Sequence, residues 1–138
     1  MKTIVVGIDG SKHAEAALEL AAEEAFLRSA RLVIVSAWEL PSGLTPGVYP
    51  PEVIDGPRAD ADILVNAAVA RVAGLQPQVA SEGKVIEGQV AAVLLKEAEH
   101  ANMIVVGSRG RGGFSSLLLG SVSQQVVHHA PCPVVVVR

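Results

Sequence analysis

Short runs of branched apolar residues alternate with longer amphipathic stretches along this chain. Five strand-like segments span residues 3–8, 31–38, 78–87, 102–106 and 134–137, of which 78–87 is the weakest. Apolar runs with almost no polar alternation, such as residues 3–8, are typical of strands buried on both faces of a parallel sheet. The run at 78–87 alternates in part and contains Gly83, so it predicts an edge or near-edge strand.

Four amphipathic stretches separate these strands. The first has a helical stripe of apolar residues at Ala14, Ala17, Leu18, Ala21, Ala22 and Ala25. The second repeats this spacing over residues 61–72 and ends near Gly74, the third runs from Gln89 to near His100, and the fourth spans Ser121–His129. The order βαβαβαβαβ predicts an α/β fold with one doubly wound, five-stranded parallel sheet and four helices.

Residues 40–58 interrupt this alternation. They hold five of the eight prolines of the chain together with three glycines, a composition that disfavours both helices and central strands. We therefore expect a long surface loop that acts either as a lid or binding edge or as a variable excursion.

The bulk properties narrow the class of protein. The 138 residues suit one compact domain over 1–138, and the net charge of −3 argues against nucleic acid as a main partner because no basic field is present. Cys132 is the only cysteine, which excludes an intrachain disulfide and suits a reducing compartment. No signal region and no apolar run of about 20 residues is present, so we expect a cytoplasmic protein without a membrane partner.

A glycine-rich stretch at residues 107–113 follows the fourth strand and leads towards the last helix. Such a loop can cradle an anion with its backbone N–H groups, and the helix start adds unpaired donors. The alternative is a flexible turn. Ser121 and Ser123 at the helix start are good capping residues and can also bind a phosphate.

Asp9 and Gly107 follow the first and fourth strands, which we expect to flank the point where the strand order reverses. Ligands of doubly wound sheets bind at this point, beyond the carboxyl ends of the strands. Asp9 can accept hydrogen bonds from a ribose or help to hold a divalent cation on phosphates, or it can form an Asx turn or cap the first helix.

The spacing of Gly107, Gly110 and then Gly120-Ser121 after nine residues is similar to the G-2x-G-9x-G-(S/T) signature of ATP-binding universal stress proteins. Four further segments agree, at residues 6–11, 36–38, 118–123 and 129–134. The chain therefore resembles the UspA-like universal stress protein family over essentially its whole length, and within it the ATP-binding subgroup.

This resemblance implies the strand order 3-2-1-4-5 of the adenine nucleotide alpha hydrolase-like fold, a homodimer, and an adenine nucleotide, usually ATP, in the crevice. Mg²⁺ or Mn²⁺ would be held through the phosphates. Together with residue chemistry, it predicts a nucleotide site formed by Ile8, Asp9, Ala37, Gly107, Arg109, Gly110, Gly120, Ser121, Val122 and Ser123.

Individual roles within this site follow from side-chain chemistry and the resemblance. Ala37 would set its backbone against the adenine edge, and Ile8 and Val106 suit either the base and sugar or the core. Arg109 and Arg111 suit phosphate oxygens or plain solvation, with Arg109 favoured because it lies between the first two glycines.

The remaining reactive side chains favour structural roles. His100, His128 and His129 lie near predicted helix carboxyl ends, where positive charge complements the dipole, so no protein metal site is expected. Cys132 lies between two prolines, which indicates packing. The apolar run Val134–Val137 would leave an open sheet edge, so we predict antiparallel pairing with a second subunit.

No Walker A lysine motif or dinucleotide-binding fingerprint is present. A dimeric, nucleotide-dependent stress-response module is therefore favoured over an enzyme. A slow metal-dependent ATPase using Asp9 and a nucleotide-free interaction dimer remain as alternatives. We expect Trp38 to report ligand by fluorescence, and the double change Ser121→Ala with Ser123→Ala to weaken ATP binding without unfolding.

Overall fold

The structure is a computed structural model that describes residues 1–40, 43, 47–110 and 119–138. The elements are β1 (Thr3–Gly7), α1 (Lys12–Leu27), β2 (Arg31–Trp38), α2 (Glu52–Leu75), β3 (Ser81–Glu87), α3 (Val90–Ala98), β4 (Met103–Gly107), α4 (Ser121–His129) and β5 (Val134–Val137). All neighbouring strands are parallel, in the order β3-β2-β1-β4-β5. The predicted doubly wound fold, and the edge position of β3, are confirmed.

The sheet separates two apolar clusters, because successive side chains of a strand point to opposite faces. Ile4, Val6 and Ile34 belong to the cluster on the α1 and α2 side. Val5, Val33 and Val35 belong to the cluster on the α3 and α4 side. Strands covered on both faces in this way explain the nearly continuous apolar runs of the sequence.

The strand register sets the level at which the sheet ends. Gly7 of β1 lies beside Val35 of β2, while Gly107 of β4 lies beside Val137 of β5. Ile8 extends the ladder by one bond, since its N–H donates to the Val35 carbonyl oxygen at 2.9 Å. Beyond this point β1 and β4 both leave the sheet and open a crevice.

The prediction of a loop over residues 40–58 was wrong for its last part, because α2 begins at Glu52. Pro50 and Pro51 supply carbonyl oxygens to the first helical N–H groups, and their own missing N–H is not needed at a helix start. Pro57 lies inside the helix, where it costs one hydrogen bond in the second turn. Residues 41–42 and 44–46 lie outside the described part.

Close packing explains Gly83 of the edge strand. A Cβ at this position would overlap the side chain of Val65, so the glycine lets α2 lie directly on β3. The strand begins at Ser81, three residues after the predicted start, and α2 passes Gly74 to end at Leu75. The fourth helix has its predicted bounds.

Candidate functional site

A pocket of about 450 Å³ lies at the carboxyl ends of β1, β2 and β4, a size typical of small-molecule sites. Its lining includes all ten residues that the sequence assigned to a nucleotide, which are Ile8, Asp9, Ala37, Gly107, Arg109, Gly110, Gly120, Ser121, Val122 and Ser123. Residues far apart in the chain therefore meet in one crevice at the reversal of strand order.

Sequence reasoning missed part of the apolar wall. Val35, Val90 and Leu94 line the pocket together with Gly7. A Cβ at Gly7 would lie 2.9 Å from Leu94 Cδ1, so this glycine lets α3 approach β1 closely. The alternation of β2 offered a signal for Val35, since it shares a face with Ala37, whereas the approach of α3 depends on tertiary packing.

Asp9 forms the Asx turn that was one of its predicted alternatives. Its Oδ1 accepts a hydrogen bond from the Ser11 N–H at 2.9 Å, and Ser11 Oγ accepts from the Ala14 N–H at 3.2 Å as the cap of α1. Asp9 also lines the pocket, and its Oδ2 faces Gly110 so closely that a Cβ there would lie 2.6 Å away. The turn and a ligand role are compatible.

Gly107 has a packing role that its motif did not reveal. A Cβ at this position would lie 2.9 Å from both the carbonyl carbon and the Cβ of His13. The start of α1 therefore rests directly on the end of β4. Because the obstructing carbon belongs to the backbone, a side chain at Gly107 would push two elements apart.

Of the two roles that the sequence allowed for Ser121 and Ser123, capping of α4 by a serine side chain is wrong. Gly120 is the N-cap residue, without a side-chain hydrogen bond. Ser121 is the first helical residue and is exposed, while the Ser123 hydroxyl turns back and donates to the carbonyl oxygens of Ser108 at 2.9 Å and Gly120 at 3.0 Å.

Ser108 links the end of β4 to three other elements, and sequence reasoning gave it no role. Its carbonyl oxygen accepts from the Gly120 N–H at 2.6 Å as well as from Ser123. Its own N–H donates to the Val137 carbonyl oxygen at 2.7 Å, and its Oγ lies 3.4 Å from His13 Nδ1. No sequence signal marks this residue, since its contacts come from three separate elements, α1, α4 and β5.

The pocket combines one carboxylate and one guanidinium with three helix starts. Asp9 and Arg109 are the ionisable side chains among the described lining residues, and Arg109 Nε is buried with no hydrogen-bond partner within this part of the chain. Helices α1, α3 and α4 all begin at the pocket, and their amino ends favour an anion. Arg111 and the glycines at 112 and 113 lie outside the described residues.

Trp38 does not lie where the sequence placed it. It follows Ala37 in β2, so its side chain points to the opposite face of the sheet, where the guanidinium carbon of Arg58 from α2 lies 5.4 Å from its ring centroid. Trp38 as a whole residue is 7% exposed and is not part of the pocket lining. A silent Trp38 fluorescence signal is therefore no evidence against a ligand.

Ala37 of β2 lies beyond the end of β1, so no residue of β1 is paired with it. Since Val35 accepts from the Ile8 N–H, the odd-numbered residues of this part of β2 direct their peptide groups towards β1. Ala37 lies two residues further on, beyond the end of β1 at Gly7. Its N–H and C=O therefore face the crevice.

His100, His128, His129 and Cys132 are not among the residues that line this pocket. His128 and His129 lie in the last turn of α4, and His100 follows the end of α3. Within the part of the chain that the structure describes, no three His, Cys, Asp or Glu side chains are grouped so that they could hold a metal ion. Cys132 packs against the α3 and α4 cluster, and this burial raises the pKa of its thiol.

A helix needs about 20 predominantly apolar residues to cross a bilayer. No helix within residues 1–40, 43, 47–110 and 119–138 combines this length with sufficient apolar character.

Fold and pocket together define a doubly wound α/β domain with a ligand crevice at its switch point. The model of the universal stress protein family matches residues 1–138, and the chain belongs to this family. A universal stress protein of Mycobacterium tuberculosis is 38% identical over 138 residues, which cover 98% of this chain and 44% of that protein. The chain thus spans a little under half the length of several curated relatives that it matches.

Solved structures of the family show the same architecture. The universal stress protein UspA of Lactobacillus plantarum superposes with a TM-score of 0.89 at 26% identity, covering 99% of this chain and 97% of that one. A universal stress protein of Archaeoglobus fulgidus in complex with dAMP superposes with a TM-score of 0.74 at 26% identity, covering 100% and 98%. The fold implied by the sequence resemblance is therefore confirmed.

Proposed function

We propose that residues 1–138 form one universal stress protein domain that binds ATP and acts as a homodimeric, nucleotide-dependent module of a cytoplasmic stress response. The observation that carries this proposal is the convergence of all ten predicted site residues on one crevice between β1 and β4. The dAMP complex of the Archaeoglobus fulgidus relative supports an adenine nucleotide as the ligand.

The base would enter the crevice at the end of β2. The peptide N–H and C=O of Ala37 supply one donor and one acceptor, which match the adjacent acceptor and donor of an adenine edge. Val35, Val90 and Leu94 supply apolar surface for the ring. Asp9 lines the same pocket and lies against Gly110, so its carboxylate can accept hydrogen bonds from ribose hydroxyls.

The phosphates would lie between the Gly107–Gly110 segment and the start of α4. The first turn of a helix presents unpaired N–H groups, and its dipole favours negative charge. Arg109 Nε is a buried donor, and a phosphate oxygen of the ligand can accept its hydrogen bond. A Mg²⁺ or Mn²⁺ ion would be held chiefly by phosphate oxygens, since Asp9 is the only carboxylate among the described lining residues.

The second subunit would pair with β5. This strand bonds to β4 on one side only and ends the sheet, and its four valines are each partly exposed. Antiparallel pairing with a second copy would satisfy the outward peptide groups of Val134–Val137 and cover this open edge.

Mass spectrometry of small molecules released from the purified protein tests the ligand class directly. Co-purified ATP, or a smaller adenine nucleotide, would support the proposal. A nucleotide-free protein that also gives no calorimetric heat with ATP, ADP, AMP or cyclic AMP would instead support the interaction dimer.

The ATPase alternative rests on Asp9, which lies in the pocket beside the glycine loop. Single-turnover hydrolysis with ATP and Mg²⁺ decides it. Activity that Asp9→Ala abolishes while ATP binding is retained would favour an enzyme over a regulatory module.

A further inference from the structure

We infer that Ser123 is a positioning residue, whose hydroxyl holds the start of α4 against the end of β4 before any ligand binds. Ser121 then remains as the serine that contacts the phosphates. The ligand part of this inference rests on the proposed function, whereas the positioning part concerns the protein alone.

The hydrogen bonds of Ser123 show that its hydroxyl is used within the protein. A hydroxyl has one hydrogen to donate, and that of Ser123 lies between two carbonyl oxygens, those of Ser108 and Gly120. Ser123 and Ser108 are each 2% exposed. The Ser123 hydroxyl hydrogen is therefore committed inside the protein and is not free for a phosphate.

The same arrangement determines which backbone donors are free. The Gly120 N–H is taken by the Ser108 carbonyl oxygen, and the first intrahelical bond runs from the Gln124 N–H to the Gly120 carbonyl oxygen at 3.0 Å. The N–H groups of Ser121, Val122 and Ser123 therefore have no partner within the helix. Together with the exposed Ser121 hydroxyl, they form the anion-binding end of the pocket.

Ser108 anchors this arrangement to the rest of the fold. Its N–H bond to Val137 ties it to β5, and its hydroxyl lies beside His13 of α1. Since Ser108 cannot move without disturbing these bonds, the Ser123 hydroxyl fixes the helix start relative to three elements. Donors held in place before binding lose little freedom when the ligand arrives.

The two serines offer a matched test. Ser121→Ala and Ser123→Ala each remove one serine hydroxyl from the first turn of α4. We expect Ser121→Ala to weaken ATP binding about tenfold, the order expected for one hydrogen bond to a charged group, without changing amide exchange. We expect Ser123→Ala to speed exchange of the Gly120 amide about tenfold in the unliganded protein, through loss of one buried hydrogen bond. Exchange of Val5 in the sheet serves as the internal control and should not change.

Amide hydrogen exchange by NMR and calorimetry with ATP and adenosine give the decisive readings. Two results together support the inference. The Gly120 amide exchanges faster in Ser123→Ala but not in Ser121→Ala, and both variants bind ATP more weakly while their binding of adenosine is unchanged. Unchanged exchange at Gly120 in Ser123→Ala would overturn it, as would faster exchange in Ser121→Ala. If the unmodified protein binds no adenine nucleotide, the proposed function fails, while the exchange comparison still decides the positioning role.

Discussion

Gly110 lies against the carboxylate of Asp9, and a Cβ at this position would come within 2.6 Å of Asp9 Oδ2. The turn after β1 and the loop after β4 therefore meet with no space for a side chain. The obstructing oxygen is the far end of a side chain, so a larger residue would displace Asp9 rather than disrupt the fold.

We predict that Gly110→Ala lowers ATP affinity about tenfold, the order expected for the loss of one hydrogen bond to a charged group, because the displaced carboxylate moves within the pocket. The free energy of unfolding should change by less than about 1 kcal/mol, as for a contact that can relax. Calorimetry and urea denaturation measure the two effects. Unchanged ATP affinity in this variant would show that Asp9 does not contact the ligand.

Gly107→Ala should act on stability instead. Its Cβ would lie 2.9 Å from the backbone carbonyl carbon of His13, and overpacking of this kind costs about 1–3 kcal/mol. Urea denaturation checks this value. Gly56→Ala is the control, since nothing lies within 4 Å of its Cβ and alanine in a helix is favoured over glycine by about 0.5–1 kcal/mol. Equal destabilisation by both changes would contradict the packing role.

Val136→Pro should separate dimerisation from folding. Ser108 donates to Val137 and Ile104 donates to Pro133, so the odd-numbered residues of β5 face β4 and Val136 directs its N–H outwards. Proline is tolerated where a strand N–H faces away from the sheet. Sedimentation should show a folded monomer for Val136→Pro and a dimer for the unmodified protein.

Val135→Pro is the matched control for the edge. It removes an N–H that bonds to β4, so it should destabilise the domain itself. A Val136→Pro protein that remains dimeric, or an unmodified protein that is already monomeric at micromolar concentration, would contradict pairing through β5.

Cys132 should react slowly with alkylating reagents near neutral pH. Burial raises the pKa of its thiol, so the reactive thiolate is scarcer than for an exposed cysteine. Because the pKa is higher in the folded state, its contribution to stability is complete below the unfolded-state pKa and is lost as the pH rises through the folded-state pKa. Iodoacetamide labelling of native and urea-unfolded protein at pH 8 tests this, and equal rates would contradict it.

The periodicity of the sequence was sufficient for the fold because the strand and helix patterns are local and strong. The start of α2 was missed because prolines weaken helix interiors but suit helix starts, and composition alone does not separate Pro50 and Pro51 from Pro57. The cap of α4 was missed because the Ser123 hydroxyl bonds to Ser108, a tertiary contact across 15 residues.

Most residues that line the pocket could also be predicted from the sequence. The glycine spacing and the strand ends located the crevice, since parallel strands deliver their carboxyl ends to one edge. Leu94 and Val90 were not predicted as lining residues, because their position depends on how closely α3 approaches Gly7. The expected position of Trp38 was wrong because adjacent residues of a strand point to opposite faces, so Trp38 does not share the face of Ala37.

The proposed function requires that an adenine nucleotide bind between the ends of β1 and β4. The most direct test is an NMR titration of the isotope-labelled protein with ATP, which follows each backbone amide. We predict saturable shifts at Asp9, Ala37, Gly110 and Ser121–Ser123, with the amides at the amino ends of the strands unchanged. No shift, or shifts confined to residues outside this crevice, would contradict the account.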